Sequence, residues 1–121
     1  MSLSYDFGKH GEKQAIAFLQ KAGYNILEKN WRSGHKELDI IAEYDNELHI
    51  IEVKARTSDL WQTSTDVVGI KKQKNIIDAA EEYIKKKQLD LPVVFDIIYI
   101  LQNSIELITN AFTAMDFAGR R

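Results

Sequence analysis

Hydrophobic and polar positions along the chain follow two different periods. Apolar residues recur at helical spacing in two stretches, which predicts two helices, and five shorter runs rich in Ile, Leu, Val or Tyr predict strands. The predicted elements are helices over residues 6–22 and 67–87, strands over residues 24–31, 37–44, 47–56, 91–101 and 105–109, and a polar loop over residues 57–66. The order α-β-β-β-α-β-β predicts an α/β fold, in which helices cover both faces of a central mixed sheet.

Two of the predicted strands are separated by turn residues alone. If Asp45-Asn46 forms a two-residue turn, the strands on either side pair as an antiparallel hairpin. The register then places Asp39 directly opposite Glu52, and Glu37 opposite Lys54. Residues directly opposite one another project to the same face, with their Cβ atoms about 4.5–5.5 Å apart. The hairpin therefore predicts two neighbouring carboxylates.

Alternation along the two strands divides the hairpin into an apolar face and a charged face. The residues predicted to share the apolar face are Leu38, Ile40, Ala42, Ile51, Val53 and Ala55. Those predicted on the charged face are Glu37, Asp39, Glu52, Lys54 and Arg56. Ile41 and Ile50 continue the charged face toward the turn, so the charges interrupt an otherwise apolar surface.

Two facing acids favour a bound cation, because like charges repel and buried carboxylates are costly unless paired. Lys54 supplies one positive charge, and a hard divalent ion would balance the rest. Mg²⁺ suits such a site, since it takes oxygen ligands from one or two carboxylates and keeps other positions for water and phosphate. Lys54 could then orient an attacking water or stabilise charge on phosphorus. The alternative is an ordinary salt-bridge group across the two strands.

Asp39 followed by Glu52-Val53-Lys54 resembles the Asp…Glu-x-Lys signature of restriction-endonuclease-like nucleases, the PD-(D/E)xK superfamily. Further matches cover residues 8–112: Gly11-Glu12, Gly23-Tyr24, Asn30-Trp31-Arg32, the hairpin strands themselves, Phe95-Asp96 and Asn110-Ala111-Phe112. Together they resemble the uncharacterised bacterial YraN-like family, which is related in fold to archaeal Holliday-junction resolvases. The resemblance implies a three-layer restriction-endonuclease-like core, with Glu12, Asp39 and Glu52 as the acidic metal site and Lys54 as the catalytic lysine.

Glu12 is also a candidate from its spacing. It lies on the helical stripe of Ala15, Ile16 and Leu19, which extends toward the predicted sheet. The alternative is a solvated glutamate that the helix dipole favours in a first turn.

Several basic and amide residues are candidates for contacts with nucleic acid. Lys71, Lys72 and Lys74 crowd the start of the second helix, where the dipole disfavours cations, so they would bind phosphate or form a solvated lysine face. Gln73 shares the helical stripe of Ile76, Ile77 and Ala80 and could reach the predicted metal site, and Arg56 lies on the charged face.

Composition narrows the class of protein. Hydrophobic residues make up 45% of the 121 and charged residues 28%, which is typical of one globular domain, here residues 1–121. The chain has no cysteine, so disulfides and thiolate sites are excluded, and a cytoplasmic location is expected. No apolar run is long enough to span a membrane. The net charge of −2 argues against binding nucleic acid by bulk attraction.

The combined prediction is a Mg²⁺-dependent nuclease, with Mn²⁺ as a substitute metal, that hydrolyses phosphodiester bonds in DNA such as junctions or flaps. The alternative is a catalytically weak or inactive module that binds nucleic acid or assembles with a partner on the same fold. A homodimer would suit cleavage of two strands, and the sequence leaves the oligomeric state open.

Overall fold

The architecture follows the predicted order of elements. The computed structural model describes residues 3–56, 68–102 and 104–114, with side chains from His10 onward, and within these residues it contains two helices and five strands. They are α1 (Leu3–Lys21), β1 (Asn25–Ser33), β2 (Lys36–Tyr44), β3 (Glu47–Arg56), α2 (Ile70–Lys87), β4 (Val93–Leu101) and β5 (Ser104–Phe112). The strands form one sheet in the order β1-β2-β3-β4-β5, parallel between β3 and β4 and antiparallel elsewhere. The predicted α/β fold with a mixed sheet is confirmed.

The ends of the helices depend on local backbone groups. After α1 the chain turns at Gly23, whose φ of +100° is easily reached only by glycine, and Tyr24 N–H closes the helix by donating to the Leu19 carbonyl. Helix α2 begins at Ile70, three residues later than predicted, with Gly69 as its N-cap. The predicted loop over 57–66, and residue 67, lie outside the described residues.

Two hydrophobic cores hold the helices on opposite faces of the sheet. On one face, Ala15 and Leu19 of α1 pack against fully buried residues such as Ile51 and Ile98. On the other face, the stripe of α2 around Ile76 packs against a second set of sheet residues. Each fully buried aliphatic side chain contributes roughly 1.5–3 kcal/mol by leaving water. No helix in the described segments is long and apolar enough to cross a membrane.

The hairpin of β2 and β3 has the predicted turn. Asp45 and Asn46 both have positive φ, 52° and 62°, as a two-residue turn of this kind requires. The strands pair in the predicted register from Tyr44 and Glu47 at the turn to Ile40 and Ile51. Before Ile40, β2 pairs with β1 alone among the strands that the structure describes. The two hairpin strands therefore separate at Asp39.

Two predictions about this hairpin are wrong. The pairing of β2 with β3 ends at Ile40 and Ile51, so Asp39 does not pair with Glu52 and Glu37 does not pair with Lys54. Leu38 was expected to share a face with Ile40, but it packs in the α2 core with Ile41, whereas Ile40 packs in the α1 core. Residues two apart normally share a face, so the alternation shifts between Leu38 and Ile40. The shift coincides with the point at which β2 leaves β3, because Asp39 lies between these two residues.

A buried polar pair links three strands at the other end of the sheet. Nδ1 of His49 in β3 lies 2.6 Å from Oδ2 of Asp96 in β4, and Oδ1 of Asp96 accepts the backbone N–H of Asn110 in β5 at 2.8 Å. Asp96 is fully buried, so these partners replace the water that its carboxylate loses. The pair helps to fix β3, β4 and β5 in register.

Candidate metal centre

The Asp39 carboxylate lies in the gap between the separating strands. Its Oδ2 accepts the backbone N–H of Val53 at 2.9 Å, a donor that points toward β2. Glu52 precedes Val53 and is 4% exposed, and its carboxyl group is in hydrogen-bond contact with that of Asp39. The two acids are thus adjacent, although the ladder between the strands stops one residue before them. The structure brings this predicted pair together through the Asp39 side chain, not through strand pairing.

The pair is electrostatically strained. Burial, followed by the hydrogen bond and the negative charge of Glu52, raises the pKa of Asp39 from an ordinary value of 3.8 to about 8. The Val53 N–H and the positive charge of Lys72 act in the opposite direction, but they do not cancel it. Two carboxylates in such a place can both be charged when a further cation is present.

Lys72 is a cation that contacts Glu52, one member of the pair. Its Nζ, from the first turn of α2, lies 3.3 Å from Oε2 of Glu52. The sequence placed Lys72 among residues that bind nucleic acid, and it gave the balancing charge to Lys54. No ion pair within 4 Å involves Lys54 in the described part of the chain. The contact was missed because it joins β3 to α2 across the segment 57–67, whose path no local pattern predicts.

Glu12 approaches Asp39 from the α1 face of the sheet, opposite to the α2 face on which Lys72 lies. Gly11 makes this possible, because a Cβ at that position would lie 3.1 Å from the Cβ of Ala55, so α1 packs closely on β3. Burial is the main cause that raises the pKa of Glu12; the side chain of Asn30 lowers it, and the charge of Asp39 raises it. The Asn30-Trp31-Arg32 motif was the signal in the sequence that could have identified Asn30 as a neighbour of Glu12.

The three predicted acids do not form a compact cluster. Across the described residues, no three acidic or histidine side chains lie close enough to hold a metal ion together. Asp39 and Glu52 are in contact, and Glu12 is within range of the Asp39 charge. The carboxylates of Asp39 and Glu52 still fit a hard divalent ion. They are oxygen donors, and the positive charge near them does not balance two negative charges. The metal-binding roles of all three acids stay predictions.

Lys54 extends the same side of β3 beyond Glu52. It is half-buried and pairs in register with Tyr99 of β4. The Tyr99 hydroxyl is buried, and it has no hydrogen-bond partner among the described groups. The sequence analysis did not single out Tyr99, although a tyrosine within an aliphatic strand was a visible signal. The catalytic role of Lys54 stays a prediction.

The other predicted contacts with nucleic acid differ in their surroundings. Lys71 and Lys74 are exposed, and neither takes part in an ion pair within the described ranges. The amide of Gln73 donates to the carbonyl of Val68 at 2.7 Å, so it helps to begin α2. The guanidinium of Arg56 donates to the carbonyl of Ala55 at 3.1 Å. Binding of nucleic acid by these residues, and by Lys72, stays a prediction.

Comparisons with known proteins agree with the fold. Residues 11–100 match the uncharacterised protein family UPF0102. A UPF0102 protein of Phocaeicola vulgatus is 46% identical, with 88% of this chain and 92% of the relative covered. Another, from Parabacteroides distasonis, is 42% identical, with 94% and 98% covered. The structure is similar to Archaeoglobus fulgidus Hjc, a Holliday junction resolvase, with a TM-score of 0.57 at 15% identity, over 85% of this chain and 72% of Hjc. The family resemblance and the restriction-endonuclease-like fold are confirmed.

Proposed function

We propose that this chain, which belongs to the uncharacterised protein family UPF0102, is a Mg²⁺-dependent nuclease that hydrolyses phosphodiester bonds in DNA. The observation that carries the proposal is the contact between the half-buried carboxyl group of Asp39 and the buried carboxyl group of Glu52 at the gap between β2 and β3. Holding two carboxyl groups in contact and largely away from water costs stability, and binding a divalent cation is a function that explains the cost.

Asp39 and Glu52 would hold the ion, and Glu12 would reach it directly or through water from the α1 side. Mg²⁺ commonly uses one or two protein carboxylates and leaves positions for water and phosphate, and Mn²⁺ accepts the same oxygen donors. A bound divalent ion supplies stabilisation of the charge that develops on phosphorus. The Val53 N–H keeps Asp39 oriented toward the gap, so the protein contributes a positioned ligand.

Lys54 would act next to the acids. Its ammonium group has no ion pair among the described residues, so no described carboxylate has to release it before it assists a reaction. A cation there would orient the attacking water or stabilise the transition state. Arg56, Lys71 and Lys74, with Gln73 at the start of α2, would contact the phosphate backbone of the DNA.

Branched DNA is the substrate class that we favour. Hjc, which shares the fold, is a Holliday junction resolvase. Local basic groups on a chain of net charge −2 also suit recognition of a particular DNA shape better than general coating of DNA. We place this activity in the cytoplasm, and a homodimer would bring two centres to two strands.

A second function, binding of nucleic acid with little or no turnover, is favoured by two observations. Lys72 holds Glu52, and the described residues do not contain a complete group of three metal ligands. A protein that kept this fold only to bind a partner would show the same two features. The two functions differ in whether metal binding leads to cleavage.

The test is a cleavage panel with linear, flapped and four-way DNA and matching RNA, in Mg²⁺ or Mn²⁺. We expect cleavage of DNA by the wild type, its loss in Asp39→Asn, and its retention in Asp45→Asn, which removes an exposed acid from the turn. Lys54→Ala should lower the rate by about 100-fold, with partial recovery in Lys54→Arg. Metal binding without cleavage of any substrate would refute the nuclease and favour the binding module. Equal rates for the Lys54 variants and the wild type would remove Lys54 from the mechanism.

A further inference from the structure

Lys72 lies in an unfavourable place for a cation unless it has a partner. It is the third residue of α2, where the exposed N–H groups of the helix carry partial positive charge. Its partner is the Glu52 carboxylate at 3.3 Å, on the strand across the α2 core. The ion pair therefore offsets the position of Lys72 in the helix as well as the burial of Glu52.

The two members of this pair differ in exposure. The Glu52 side chain is 4% exposed, whereas the Lys72 side chain is 48% exposed. A long, half-exposed lysine can rotate into solvent, while the buried carboxylate has little space to move. A divalent ion bound at Oε2 of Glu52 would lie close to the Lys72 ammonium group, and repulsion between the two cations would drive the exposed lysine away.

We propose that Lys72 is the resident counter-cation of the Asp39 and Glu52 pair and that it leaves Glu52 when a divalent ion binds. The proposal rests on the metal centre of the proposed function and adds a regulatory role for a residue on α2. In the free protein, Lys72 stabilises the acids and lowers their affinity for metal. Once it is displaced, its ammonium group lies beside the centre and is available to a DNA phosphate.

Binding of Mn²⁺ provides the first test, measured by the loss of the free-ion electron paramagnetic resonance signal. Lys72→Met keeps the length of the side chain and removes its charge, so we expect its dissociation constant to be about three- to tenfold lower than that of the wild type. Lys72→Arg keeps the ion pair and should bind no more tightly than the wild type. Lys86→Met is the control for net charge, because Lys86 is exposed near the end of the same helix.

Reactivity of the lysine gives a second readout that does not depend on a mutation. A reagent that acetylates amines should modify Lys72 of the wild type faster in saturating Mg²⁺ than in metal-free buffer, while Lys86 reacts at the same rate in both. Mass spectrometry of proteolytic peptides gives the two rates. A rate for Lys72 that is unchanged or lower in Mg²⁺ would contradict its displacement.

The outcomes separate this inference from the nuclease itself. Equal or weaker Mn²⁺ binding by Lys72→Met, beside clear binding by the wild type, overturns the role of Lys72 and leaves the metal centre intact. Tighter binding without cleavage of any DNA supports the role of Lys72 and refutes the nuclease. If neither the wild type nor Lys72→Met binds the ion, both proposals fail.

Discussion

The Asp39 carboxyl group should make the free protein less stable as pH rises, and Asp39→Asn should remove this dependence. In the folded chain the pKa of Asp39 is raised to about 8, against 3.8 for an ordinary aspartate, so the folded state retains a proton that the unfolded state releases. The stabilising effect of this proton is complete below the unfolded pKa and is lost as pH rises through the folded pKa. The sensitive window therefore extends from about pH 4 to about pH 8.

The size of the effect follows from the number of protons. A difference of one bound proton changes the free energy of unfolding by about 1.4 kcal/mol per pH unit. Asparagine resembles the protonated acid, because its oxygen can accept the Val53 N–H and its amide can donate to Glu52. We therefore expect the free energy of unfolding of Asp39→Asn, relative to that of the wild type, to rise by about 2 kcal/mol from pH 6 to pH 8 in metal-free buffer.

Urea unfolding at several pH values, with a chelator present, measures this difference. Asp45→Asn is the matched control, because it removes an exposed acid from the turn of the same hairpin and keeps a residue that tolerates positive φ. The control should follow the wild type at every pH. Saturating Mg²⁺ should make the wild type more stable than Asp39→Asn, because the ion binds and stabilises the wild type and not this variant. A constant difference in the free energy of unfolding between Asp39→Asn and the wild type across this range would refute the raised pKa of Asp39.

Two further substitutions test the packing on which the site depends. Gly11→Val should lower the free energy of unfolding by about 2 kcal/mol, because its side chain meets Ala55; Gly11→Ala should cost less, since alanine favours the helix. Equal stability of Gly11→Val and the wild type in urea would contradict the close approach of α1. Asp96→Asn should cost about 2 kcal/mol, because one amide oxygen cannot accept from both His49 and the Asn110 N–H. Retained amide-proton protection at Asn110, measured by hydrogen exchange, would argue against that contact.

Local patterns predicted most of the fold because each element carries its own signal. Asp45 and Asn46 are residue types that tolerate the positive φ of a two-residue turn. The register near the turn could therefore be counted from the sequence. The shift at Asp39 could not be predicted, since strict alternation assumes that β2 remains paired with β3. It depends on the Asp39 side chain accepting the Val53 N–H, and strand patterns contain no information about that contact.

The gap between β2 and β3 determines which groups can reach the acids. Because the sheet opens at Asp39, this one carboxylate is within electrostatic range of Glu12 on the α1 side and of Lys72 on the α2 side. A continuous ladder would have kept the two layers apart. The proposed third ligand, Glu12, and the competing cation, Lys72, therefore come from opposite faces of the sheet. A change in the packing of either helix can thus alter the charge around Asp39 and Glu52 without moving these two residues.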